Sequence, residues 1–191
     1  MIRAGFEIEF LSLGLTPSER ERIRQSGFNL GLDISTHPKN KWEFAKKKKI
    51  VISKIGNFIG REIRTREPFC ADLRCDELSP EFTSLFEVLN RVKKNNKLFI
   101  THLCGIHFHF STDIGTLNVE KIREKFHKYN FANKARETNF CIKESTTSKY
   151  NAVRIITPCH IEFRSFNATL NLSVVNKWFK IARKLTLENI K

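Results

Sequence analysis

The hexapeptide Gly105-Ile106-His107-Phe108-His109-Phe110 alternates polar and apolar residues without a break, and a period of two belongs to a β-strand rather than a helix. As a strand it sends His107 and His109 to one face and Ile106, Phe108 and Phe110 to the other. Phe6-Glu7-Ile8-Glu9-Phe10 and Ile161-Glu162-Phe163-Arg164-Ser165 repeat the pattern with different polar residues. Each stretch offers an apolar back and an ionisable front. Paired in one sheet, the three would display Glu7, Glu9, Glu162, His107, His109 and Arg164 together. That is more ionisable chemistry than an ordinary solvent face carries, and it points to a metal and phosphate site.

A chain of 191 residues is long enough to bury a core, and one domain spanning 1–191 is the expected organisation. Hydrophobic residues at 40% and charged residues at 28% give a globular balance, and 17 phenylalanines supply bulk for packing against a sheet. A net charge of +14 favours anionic partners such as nucleotides, nucleic acid or acidic substrates. It does not choose among them. The run Lys46 to Lys49 reads first as a solvated edge or turn, and second as a basic lip for phosphate or an acidic peptide.

The cysteines, at 70, 75, 104, 141 and 159, are odd in number and contain no CxxC pair. Arg3, Glu7 and Glu9 stand where a secretory leader would need an apolar run, so reduced thiols and a cytoplasmic setting are expected. No segment approaches the roughly 20 apolar residues of a membrane span. A zinc site built from Cys70, Cys75, Cys104 or Cys159 with His102 or His160 would match no common ligand spacing, and buried free thiols are the preferred reading.

Taken in order, residues 3 to 11 read as the first strand. Thr16-Pro17-Ser18-Glu19 has the form of a capping box with proline at the first helical position, opening a charged helix that ends at Gly27. Residues 28 to 45 read as loop with one short strand around Trp42 to Phe44. One or two strands are expected between Ile50 and Arg66, where Glu62 is a second candidate for the site. Ser79 and Pro80 open a helix with Phe82, Leu85, Phe86, Leu89 and Val92 inward, running to about Lys94. Glu77 then sits at a strand-to-helix junction, a common place for a ligand.

A strand from Lys97 to Leu103 and the histidine strand come next. Val119, Ile122, Phe126 and Tyr129 predict a helix reaching toward Ala135. The polar stretch 136 to 149 reads as a loop able to cover the site. Strands at Tyr150 to Ile156 and Cys159 to Phe166 follow, then a last helix with Val174, Val175, Trp178, Ile181, Ala182 and Leu185 as its apolar stripe. The fold class is α+β, a mainly antiparallel sheet backed by helices on one side.

Magnesium is a hard cation that rests on a few carboxylates plus substrate phosphates, and Glu7, Glu9, Glu77 and Glu162 would supply the carboxylates. A neutral imidazole can complete such a site, and a guanidinium grips phosphate through its planar fork. Singly, each stretch could be an amphipathic strand with a wet polar face. Their joint occurrence, in this order, carries the reading.

The order also resembles that of a known family. GFEIEF at 5–10, ELSP at 77–80, CGIHFHF at 104–110 and IEFRSFNATL at 161–170 look like the successive motifs of the amidoligases, carboxylate-amine ligases related to glutamine synthetase and glutamate-cysteine ligase. The resemblance implies a curved antiparallel sheet like the catalytic domain of glutamine synthetase, holding ATP and two or more magnesium ions, with manganese as an alternative. It implies that Glu7, His107 and Glu162 share the ion bridging the nucleotide phosphates, and that Glu9 and Glu77 hold the second, with Glu62 competing for Glu77's place. His109 would contact phosphate or substrate, and Arg164 would stabilise the transferred phosphoryl group.

The implied reaction joins a carboxylate to an amine, each an amino acid, peptide or protein, through an acyl phosphate. The chain is short for the family, lysine-rich and glycine-poor, as a version encoded by a phage or mobile element and working in the host cytoplasm would be. Two other classes stay open: a metal-dependent hydrolase or nuclease using the same cluster, and a non-catalytic basic module that binds nucleic acid. Carboxylates without metal would repel a phosphate backbone, which weighs against the module.

Overall fold

A computed structural model of the chain describes residues 1–33, 59–71, 78, 80–101, 103–129 and 152–191. Eight strands and four helices lie among them: β1 (Ile2–Ser12), α1 (Pro17–Gln25), β2 (Phe28–Leu32), β3 (Ile59–Thr65), β4 (Phe69–Cys70), α2 (Pro80–Lys94), β5 (Leu98–Phe99), β6 (Gly105–Thr112), α3 (Val119–Phe126), β7 (Val153–Thr157), β8 (His160–Asn167) and α4 (Leu172–Leu187). The strands form one open sheet in the order β2-β3-β1-β6-β8-β7, and β4 and β5 pair with the two ends of β1. Every described pairing is antiparallel. The architecture is therefore mixed α+β.

The three alternating stretches become β1, β6 and β8, and they are neighbours at the middle of the sheet. Their apolar sides are completely buried: Phe6, Ile8 and Phe10, then Ile106, Phe108 and Phe110, then Ile161 and Phe163. Helices cover this side. α2 buries Phe82, Leu85, Phe86, Leu89 and Val92, the positions its spacing predicts, and α4 buries Val175, Phe179, Ala182 and Leu185. Phe108 is the hub, with ring centroids 5.7 Å from Phe6, 5.2 Å from Phe166 and 5.7 Å from Phe179. Such edge and tilted contacts add to the burial itself. No helix among the described residues is long and apolar enough to cross a membrane.

The capping box at Thr16 is present in full: the Thr16 hydroxyl accepts from Glu19 N–H, and Glu19 accepts from Thr16 N–H. Gly27, with φ of +83°, takes the left-handed turn that lets the chain leave α1 and enter β2.

Four expectations need correction. Residues 28 to 32 are a strand and not loop: Phe28 is buried and Leu30 packs on the core, and pairing with β3 overrides the loop signals of Asn29 and Gly31. The strand expected from Lys97 to Leu103 is only Leu98–Phe99, because the chain turns at Thr101 to Cys104, where Cys104 N–H donates to the Thr101 carbonyl. α3 stops at Phe126 with His127 as its cap, and Tyr129 is exposed. In α4 Phe179 is fully buried where Val174 is only partly so. The expectations for Lys46 to Lys49, Trp42 to Phe44, Ile50 to Ile52, Glu77, Ser79 and the 136–149 loop lie outside the described residues.

Candidate metal centre

Antiparallel register assembles the front of the sheet. Glu7 stands opposite His107 on one side and Arg64 on the other, and Glu9 stands opposite Glu62. His109 lies between Gly5 and Glu162, and Arg154 of β7 faces Glu162 from the far side. Four strands thus bring Glu7, Glu9, Glu62, His107, His109, Glu162 and Arg164 to one surface. All the predicted site residues that are described converge there.

A bulge makes room for Arg164. Two steps on β6, from Ile106 to Phe108, span three on β8, from Phe166 to Phe163, so an extra β8 residue stands opposite His107. Strict alternation would turn Phe166 to the polar front. The bulge returns it to the core, where it is fully buried and stacks on Trp178 at 5.3 Å, while Glu162 and Arg164 keep the front.

The side chains interlock. His107 Nδ1 lies 3.2 Å from Glu7 Oε2 and 3.3 Å from Glu162 Oε1, and its Nε2 lies 3.6 Å from Glu9 Oε1. His109 Nε2 lies 3.2 Å from Glu7 Oε1 and 3.9 Å from Glu162 Oε1. Glu9 also accepts from Gly105 N–H at 2.6 Å. Arg164 Nη1 donates to Glu162 Oε1 at 2.6 Å, and Arg154 Nη1 to Glu162 Oε2 at 3.4 Å. Glu62 pairs with Arg64.

Comparison of the chain with protein-family models, with curated proteins and with solved structures returned no match.

The charges respond to this crowding. Burial alone would raise the Glu7 carboxyl, but hydrogen bonds from His107 and His109 outweigh it and hold Glu7 well below the usual carboxylate range. Burial likewise works to lower His109, and the hydrogen bond and charge of Glu7 overcome it and keep His109 above its ordinary value. Glu62 goes the other way: burial and the nearby Glu7 charge push it up to about 7, with Arg64 only partly opposing them. His160 is lowered by burial and by the neighbouring His109.

The donor set fits a divalent cation. Glu7, His109 and Glu162 each offer a ligand atom, all within 4.8 Å of one another. His107 Nε2 is buried, has no hydrogen-bond partner and faces the Glu9 carboxylate, and a buried polar atom left in that state asks for a partner. Carboxylates with imidazole suit magnesium or manganese. Among the described residues the candidate ligand group contains no cysteine; of the described cysteines, none in a disulfide, Cys104 is buried as expected, whereas Cys159 is half-buried and Cys70 exposed.

Sequence reasoning missed Arg154, Arg64 and the role of His160. His160 Nε2 lies 3.3 Å from His109 Nδ1, so it fixes the ring whose other nitrogen points at Glu7 and Glu162. Its position two residues before Glu162 was a usable signal, since i and i+2 share a strand face. Arg154 and Arg64 carry no such signal, because only register places them.

Proposed function

We propose that the chain is an ATP-dependent ligase that joins a carboxylate to an amine, built on a sheet of the glutamine synthetase kind. The observation that carries this reading is the convergence of Glu7, His109 and Glu162 on one point, with Glu9, Glu62 and His107 around it and two arginines against Glu162. Glu7, Glu162 and His109 would hold one divalent ion, with His107 bracing both carboxylates. Glu9 and Glu62 offer a place for a second, Glu77 being the other candidate. A bound ion supplies charge neutralisation on the phosphates of ATP.

In the reaction, a carboxylate oxygen of the substrate attacks the γ-phosphorus of ATP and ADP leaves, giving an acyl phosphate. A neutral amine then attacks the acyl carbon, phosphate departs with the C–O bond electrons, and the amine proton passes to a base. Arg154 and Arg164, which pair with Glu162, would offset charge on phosphoryl oxygens, and the largest contribution expected from the protein is positioning and preorganised charge. No protein nucleophile is required.

The test is ADP and phosphate release from ATP with magnesium, dependent on a carboxylate and an amine drawn from a panel of amino acids and peptides. Release should vanish in Glu7→Ala and in Glu162→Ala. Activity that survives both substitutions refutes the reading. Metal-dependent cleavage of DNA or RNA without ATP would instead favour a hydrolase on the same cluster.

A further inference from the structure

Beside the carboxylates, and bordered by one of them, Glu7, lies a small cavity of about 200 Å³. Its floor is Gly5. A Cβ built there would lie 3.4 Å from His109 Cβ and 3.5 Å from Thr65 Oγ1, so any larger side chain at this position would grow into the cavity. Its far wall is a row that runs across three strands in register: Arg3 opposite Ser111, and Ser111 opposite His160. Arg64 and Thr65 line the side toward β3, and Glu7 and His109 form the border with the proposed metal centre. Among the described residues Arg3 makes no ion pair within 4 Å, and its charge acts on Asp113. The front of the sheet therefore passes from four carboxylates at one end to arginines, imidazole and hydroxyls at the other within the length of β1.

We propose that this cavity is the binding site for a compact oxyanion of the substrate, a carboxylate or a phosphoryl group, seated with its oxygens toward Arg3, Ser111 and His160. The proposal rests on the ligase reading for what the anion does there, but binding itself does not. Arginine with hydroxyl and ring N–H donors is the donor set that planar or tetrahedral oxyanions select. Pockets for drug-sized ligands measure roughly 300–1,000 Å³, so this cavity is too small for a whole nucleotide. It suits the acid end of a small molecule and sits against His109 and Glu7, where an oxyanion would lie beside a metal-bound neighbour. Gly5 is the residue that keeps the space open.

The experiment is isothermal titration of the full chain, in the presence of manganese, with inorganic phosphate and separately with L-glutamate. The wild type should bind at least one probe saturably in the millimolar range. Gly5→Val, which fills the cavity, and Arg3→Ala, which removes its guanidinium, should each weaken that binding about tenfold or more, the order expected for a lost charge-assisted hydrogen bond. Manganese binding by Arg3→Ala should equal wild type, which shows that the fold and the metal centre persist. Binding of phosphate alone assigns the cavity to the phosphoryl group, and binding of glutamate alone assigns it to the carboxylate. Wild-type chain that binds neither probe, or variants that bind as wild type does, would overturn the proposal. Loss of ATP-dependent turnover in the wild type would refute the ligase reading and leave the titration result standing.

Discussion

Glu62 gives the sharpest quantitative handle on the crowded front. Its carboxyl is pushed from the ordinary 4.5 up to about 7, first by burial and then by the charge of Glu7. Because the folded value lies above the unfolded one, the fold holds a proton that the unfolded chain releases. Stability linked to Glu62 is therefore fully present below about pH 4.5, declines as pH rises toward 7, and is absent above. At about 1.4 kcal/mol per pH unit the whole effect would approach ~3 kcal/mol. The side chain is 15% exposed and contacts Arg64, so solvent screening brings the expected value nearer 1–2 kcal/mol, on the order of half the full figure. Glu62→Gln keeps the shape and removes the titration. In urea unfolding without metal, the variant should be more stable than wild type by about 1–2 kcal/mol at pH 8 and equal to it at pH 4.5. With a slope of about 2 kcal/mol per molar urea, the midpoint at pH 8 should rise by roughly 0.5–1 M. A difference of the same size at both pH values, or a less stable variant at pH 8, would refute the reasoning, because neither can arise from a raised carboxyl.

Two further substitutions test the scaffold. Phe108→Ala should destabilise by about 3–5 kcal/mol, read by chemical unfolding, because it removes the ring on which Phe6, Phe166 and Phe179 meet. Thr16→Ala should cost about 1 kcal/mol through loss of the capping box, and in manganese titration it should bind as wild type does, since α1 lies at the far end of β1 from Gly5 and carries none of the cluster residues.

Much of this arrangement was legible because the three central strands repeat one period. Phe6, Ile8, Phe10, Phe108 and Phe110 set a buried back, and the residues between them had to share a front. The capping box and the spacing of Phe82, Leu85, Leu89 and Val92 were local signals of equal clarity. What escaped was set by pairing between strands. Phe166 reads as front-facing by parity, and only the bulge opposite His107 turns it inward. Asn29 and Gly31 read as loop, and only the partner strand β3 makes them strand. Likewise the division between the two histidines is a matter of depth: His107 is almost wholly buried between carboxylates, while His109 is 22% exposed beside the cavity. Alternation tells which face a residue takes, not how far it lies from the opening.

The central claim, that the glutamates and histidines of this front hold divalent ions, is tested most directly by electron paramagnetic resonance titration of manganese into the metal-free chain. Saturable binding is predicted, in the micromolar to millimolar range, with strong weakening in Glu7→Gln and in Glu162→Gln and competition by magnesium. Circular dichroism that matches wild type would show the variants to be folded. Manganese that stays free at every ratio, or that binds the wild type and both folded variants alike, would contradict it.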